Sequence, residues 1–155
     1  MKKISLLLLL LLILGCKKDT TSPIDLDKLD YFIFGRASGF CVGSSCVMLY
    51  KLENQQLFPD ADITYTQFST GNIAFGTTSL PTDKVLVAQA LLSEFPSILL
   101  NEPNGTLGCP DCADQGVYYI KMKSGKTVRE WQIDPFLDQY HPYCNAISIT
   151  LSQLK

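Results

Sequence analysis

The feature that most constrains this chain is the run from Ile4 to Leu14, built almost entirely of Leu and Ile and preceded by Lys2 and Lys3. A helix that crosses a bilayer permanently needs roughly 20 apolar residues. This run has eleven, and two lysines stand before it, which is the pattern of a signal-peptide core that is removed on export. The competing readings are an ordinary secretory signal with a chance cysteine after it and a short buried helix. On the signal-peptide reading, residues 1–15 contribute nothing to the mature fold, and the domain must be built from the residues after them.

The end of the run, Leu12-Ile13-Leu14-Gly15-Cys16, resembles the lipobox of bacterial lipoproteins, in which a small residue precedes the cysteine that receives lipid. The resemblance implies cleavage before Cys16 and acylation of its sulfur. Each acyl CH₂ buried in a bilayer contributes roughly 0.8 kcal/mol, and several chains together make a stable anchor. The expected address is the cell envelope, at the outer membrane, with the membrane itself as a partner through Cys16. Lys17-Lys18-Asp19 partly matches charged export signals and leaves the periplasmic face and the cell surface both open.

Removal of the first 15 residues leaves 140, the size of one domain, and eleven Lys and Arg against fifteen Asp and Glu. This mild acidity argues against a nucleic-acid partner, which demands basic patches. Residues 16–28 are polar after the cysteine and are expected to form a lipidated tether. Residues 29–155 are expected to form a single domain.

Within that domain, Tyr31 to Gly35 is aromatic and β-branched and predicts a strand, with Cys46 to Leu52 as its return. Gln56 to Tyr65 predicts an extension of the meander, interrupted at Pro59-Asp60, and Asn72 to Phe75 a short edge element. Pro81 to Phe95 predicts a helix, with Val85, Ala88, Leu92 and Phe95 on one stripe and Pro96 as its stop. Asn104 to Gln115 reads as a loop. Gly116 to Met122 and Thr127 to Ile133 read as a hairpin around Lys123-Ser124-Gly125-Lys126, with Trp131 and Ile133 pointing one way. The C-terminus is ambiguous: Cys144, Ile147, Leu151 and Leu154 have helical spacing, while Ile147 to Leu151 also alternates. A helix is preferred because it would pair with the first helix against one face of the sheet. The fold class is therefore α+β with an antiparallel sheet: β-meander, helix, β-hairpin, C-terminal helix.

Five cysteines remain besides Cys16: Cys41, Cys46, Cys109, Cys112 and Cys144. Export favours disulfides. Cys41 and Cys46 have C-x₄-C spacing, and Cys109-Pro110-Asp111-Cys112 has C-x-x-C spacing. The preferred reading is structural disulfides at these four residues, either local or crosswise between the loops; spacing does not choose. Thiol–disulfide redox chemistry at Cys109 and Cys112 is the alternative, since the spacing lets one thiolate attack and the other resolve. Here, however, the motif follows a helix and precedes a strand, the reverse of the thioredoxin arrangement. A four-cysteine zinc site is the third reading. Cys144 reads as a buried apolar thiol.

Phe34-Gly35-Arg36, Gly39-Phe40-Cys41-Val42-Gly43 with Cys46, Gly105 to Asp114, and Trp131 to Asp134 together resemble uncharacterised lipoproteins of Bacteroidota, over most of residues 31–135. The resemblance implies one domain with structural weight on both cysteine loops and no known activity.

Catalytic candidates are few. His141 is the only histidine, is expected in a loop, and stands without a Gly-x-Ser-x-Gly elbow elsewhere. Asp111 and Asp114 lack the dense oxygen ligands of a calcium loop and read as turn formers. Tyr118, Tyr119 and Trp131 read as core rather than as a ligand groove. The chain thus reads as a non-catalytic, disulfide-stabilised binding or structural domain that needs no cofactor, its ligand an envelope protein or a small molecule.

Overall fold

The computed structural model describes residues 24–155. Cys16, the signal segment and the first part of the expected tether lie outside the described residues. Ile24 is buried, and Leu26 and Leu29 pack against the core, so residues 24–28, expected in the tether, lie on the domain.

The strand-forming run of aromatic and β-branched residues becomes β1 (Tyr31–Ala37), the centre of the sheet. It pairs antiparallel with β2 (Val47–Glu53) on one side, Phe34 opposite Tyr50. A tight turn at Asn54-Gln55, both residues at positive φ as a two-residue hairpin turn requires, leads into β3 (Gln56–Pro59). The meander therefore stops at Pro59, short of the expected Tyr65. Beyond it the chain makes a single bridge, Asp60 to Phe75, where a short edge element was expected. Between these lies α1 (Tyr65–Ser69), opened by a capping box in which Thr64 and Gln67 satisfy each other's backbone N–H groups.

The predicted stripe forms α2 (Thr82–Ser93), which starts after Pro81 and ends ahead of Pro96. Val85, Ala88, Leu91 and Phe95 are buried, with Leu92 at the edge of the same face. A three-residue strand, β4 (Gly105–Leu107), then appears inside the expected loop. It runs parallel to the last strand, Gly105 opposite Trp131. The hairpin forms as expected from β5 (Val117–Ser124) and β6 (Thr127–Ile133) around Gly125-Lys126. The C-terminus is helix, α3 (His141–Leu154). Ile149 resolves the ambiguity: alternation would bury it with Ile147 and Leu151, yet it is 51% exposed while those two are buried.

The described residues thus form one six-stranded sheet, ordered β3-β2-β1-β5-β6-β4, antiparallel except for its last pair, in an α+β domain. Because side chains alternate along a strand, β1 feeds two cores. Phe32 and Phe34 join Ile120, Trp131 and Ile133 beneath α2 and α3, where Tyr143 and Ile147 complete the layer. Ile33 and Ala37 join Leu49, Val117 and Tyr119 on the opposite face, covered by Ile63 and Phe68 from the segment around α1. That segment is held by Asp60, which accepts the Leu49 N–H at 2.9 Å and the Ile63 N–H at 3.2 Å. Burial pushes the Asp60 carboxyl above its usual range, against the opposite pull of those two donors. No helix among the described residues is long and apolar enough to cross a membrane.

Candidate binding site at the disulfide-linked loops

Three connections leave the same end of the sheet. In register, Ala37 at the end of β1 faces Val47 at the start of β2 and Val117 at the start of β5, and Leu107 at the end of β4 faces Ile133 at the end of β6. Residues 38–46, 108–116 and 134–140 therefore come together. The start of β1, with Phe32 opposite Leu52 and Met122, lies at the other end.

The two disulfides close locally, Cys41 with Cys46 (Cα–Cα 5.3 Å) and Cys109 with Cys112 (Cα–Cα 5.6 Å). Each loop is shaped by backbone bonds as well: Ser38 N–H donates to the Cys46 carbonyl, and Cys112 N–H to that of Cys109. What joins the loops to each other is Asp111. Its Oδ2 accepts the Gly39 N–H at 2.7 Å, across 72 residues of sequence, while its Oδ1 accepts the Gly116 N–H at 3.0 Å. The approach needs glycine at position 39, since a Cβ there would lie 2.6 Å from Asp111 Oδ2. Arg36 adds a second link, its guanidinium donating to the Gln115 carbonyl at 3.1 Å.

Asp134 ties in the third connection. Its Oδ1 accepts the Phe136 N–H at 2.9 Å, an Asx turn, and its Oδ2 accepts the Cys109 N–H at 3.1 Å. The Phe136 N–H above all, helped by Cys109 and Gln115, holds its carboxyl below the usual range, against the opposing effect of burial. A group whose folded value lies below its unfolded one stabilises the fold above the ordinary Asp range and loses that contribution as pH falls through the folded value. This tie therefore weakens only in acid.

The surroundings of Cys109–Cys112 bear on its chemistry. A redox-active pair needs a stabilised thiolate, supplied by a helix N-terminus or nearby cations. This pair sits in a turn between β4 and β5, and Asp111, Asp114 and Asp134 are its charged neighbours in sequence or by hydrogen bond. Carboxylates disfavour a thiolate. Asp111 and Asp114 both adopt positive φ, as turn formers do. Among the described residues, no group of three or more His, Cys, Asp or Glu side chains is arranged to hold a metal ion.

The remaining candidates fall elsewhere. His141 is the exposed first residue of α3 rather than a loop residue. Cys144 is buried and, among the described residues, unpaired, its thiol pushed up to about 12 by burial first and by the Asp134 charge second. Tyr118, Tyr119 and Trp131 are core. The loop end instead exposes Phe40 (79%), Val42 (98%) and Phe136 (69%). Of the residues that assemble this end, Asp111 was legible as a turn former and Asp134 sits in an Asp-Pro pair, while Gly39 and Gln115 carried no local signal. The Gly39–Asp111 contact is long-range and left none.

Asp111→Ala removes acceptors for two backbone N–H groups and is expected to cost about 1–3 kcal/mol with both disulfides intact. Amide exchange at Gly39 and Gly116 should accelerate with it. Asp114→Ala, on the same loop and also at positive φ, is expected to carry only the backbone strain shared by both sites, about 1 kcal/mol or less. Denaturant titrations of the two variants give the comparison, and equal losses would show that Asp111 joins nothing.

No family model, curated protein or solved structure matches this chain.

Proposed function

We propose that this chain is a lipid-anchored protein of the bacterial cell envelope, held at the outer membrane through Cys16, whose disulfide-bonded domain is a non-catalytic binding module. The lipobox-like Leu12-to-Cys16 segment supports the anchor, and the loop motifs support a place among the uncharacterised Bacteroidota lipoproteins they resemble. The observation that carries the binding role is the union of both disulfide loops through Asp111 into one braced end of the sheet. Pre-ordered loops lose less entropy when a ligand or protein arrives, which is what such bracing offers a binding surface. The occupant is an envelope protein or a small molecule.

The alternative is a thiol–disulfide redox protein working through Cys109 and Cys112. The carboxylates around that pair favour the binding reading, because they oppose the thiolate that redox chemistry needs. Zinc coordination by four cysteines would require thiolates that the two disulfides consume.

The test is equilibration of the full-length protein in graded thiol–disulfide buffers, read by alkylation of free thiols. Structural bridges resist reduction to potentials below about −300 mV. Opening of Cys109–Cys112 in the range of about −120 to −270 mV, where catalytic pairs work, would overturn the binding reading in favour of redox chemistry. The anchor is checked separately: a clickable fatty acid fed to expressing cells should label the wild-type protein, and Cys16→Ser should lose both the label and the membrane fraction.

A further inference from the structure

We infer that the cleft between the Cys41–Cys46 loop and the last turns of α3 is a binding site for a small organic anion, a carboxylate or phosphate head on a short apolar body. The inference deepens the binding role proposed above and rests on it. The cleft encloses about 410 Å³, within the roughly 300–1,000 Å³ usual for small-molecule sites.

Its lining sets the chemistry. Among the described residues, Arg36 and Lys155 are the charged side chains of the lining, with no Asp or Glu, although acids outnumber bases in the chain by fifteen to thirteen. Ser38, Ser45 and Ser148 add hydroxyl donors. Ser152 adds none, because its proton goes to the Ile149 carbonyl at 2.6 Å. Met48, Leu151 and the Cys41–Cys46 bridge supply an apolar wall against which a carbon body would pack.

Arg36 is pre-positioned. Its strand location on β1 places it at the sheet end, and the Gln115 carbonyl holds one of its amino groups. Gly116 makes room for it: a Cβ there would approach Arg36 Nε to 3.2 Å and the Ala37 carbonyl oxygen to 2.7 Å. Among the described residues no carboxylate is within ion-pair distance of Arg36. A guanidinium has five N–H donors in a planar fork that matches carboxylate and phosphate oxygens. One donor is used on Gln115, which orients the fork and leaves the rest for a ligand.

The test is amide chemical-shift titration of the full-length protein with hexanoate, hexyl phosphate, inorganic phosphate, hexanol and hexylammonium. Saturable shifts at Ser38, Ser45, Gly116 and Ser148 are expected with hexanoate or hexyl phosphate, and the tighter of the two names the head group. Hexanol and hexylammonium should bind at least about tenfold more weakly (about 1.4 kcal/mol), as should either anion to Arg36→Gln, since each lacks the charge-assisted hydrogen bonds of the guanidinium–anion pair. Ser148→Leu, an exposed position on α3 that leaves the Arg36 link intact, should fill the cleft and abolish the shifts. No saturation with either anion, equal binding of hexanol, or unchanged binding in both variants would overturn the assignment. If the anions fail while both bridges resist reduction, the cleft assignment falls and the binding reading survives.

Discussion

Gly35→Ala is expected to destabilise the domain by about 2–6 kcal/mol, combining a strained backbone with overpacking of a close strand pair. Gly35 lies at the middle of the central strand, with φ +156°, opposite Leu49 on one side and Tyr119 on the other. A Cβ there would collide with the Met48 carbonyl oxygen and would also approach the Leu49 Cα to 2.9 Å. These are atoms of the neighbouring strand's backbone, so relief requires β1 and β2 to separate, and both cores rest on that pairing. A domain of this size has a total stability of about 5–15 kcal/mol, so the variant loses a large share of it. Gly43→Ala is the control. Gly43 also has positive φ, +100°, but open space where its Cβ would go. Its cost should be limited to about 1–2 kcal/mol of backbone strain. Trp131 is the only tryptophan and is fully buried, so its emission during denaturant titration reports both variants. Equal costs at the two glycines would remove the steric account of β1.

Trp131→Ala should cost about 3–5 kcal/mol, the range for truncating a large buried aromatic. The indole is 0% exposed, lies 6.1 Å from the Phe95 ring and carries the Arg129 guanidinium 4.9 Å above its face. Truncation opens a cavity at the junction of the sheet with both long helices. It also strips a desolvated cation of its aromatic partner, leaving Arg129 its hydrogen bonds to Asn104 Oδ1, at 2.9 Å, and to the Glu102 carbonyl. Trp131→Phe separates shape from polarity. Trp131 Nε1 is buried and has no hydrogen-bond partner among the described residues, a penalty of about 1–3 kcal/mol that phenylalanine does not carry. Trp131→Phe should therefore cost about 1 kcal/mol or less, the lost volume offset by the lost orphan donor. Circular dichroism melts of the two variants make the comparison. If Trp131→Phe is as costly as Trp131→Ala, the indole N–H has a partner in solution.

The legible part of this fold was the part written in local periodicity. The aromatic run of β1, the α2 stripe and the β5–β6 hairpin each arise from residues close in sequence, and each formed where expected. The C-terminal segment satisfied two periods at once, and burial against α2 selected the helix, which sends Ile149 to solvent and keeps Cys144 inside. The shortened meander is a failure of emphasis. Ile63 and Tyr65 look like strand alternation, but Thr64 and Gln67 form a capping box, and that helix-start signal prevails over the alternation in the structure. The parallel β4 carries no such signal. Its three residues are placed by Asn104, whose amide donates to the Val128 carbonyl and whose Oδ1 accepts from Arg129 Nε, contacts 24 and 25 residues away. The candidate site obeys the same rule. Local spacing offered each disulfide as a pair, whereas the joining of the two loops depends on one carboxylate reaching one glycine from a distant turn.

The braced loop end is the centre of this account, and non-reducing peptide mass mapping of the purified protein tests it most directly. The expected fragments are a Cys41–Cys46 linked peptide, a Cys109–Cys112 linked peptide, and Cys144 recovered as a free thiol only after unfolding. Crosswise links between the two loops, or four reduced cysteines accompanied by one equivalent of zinc, would contradict it.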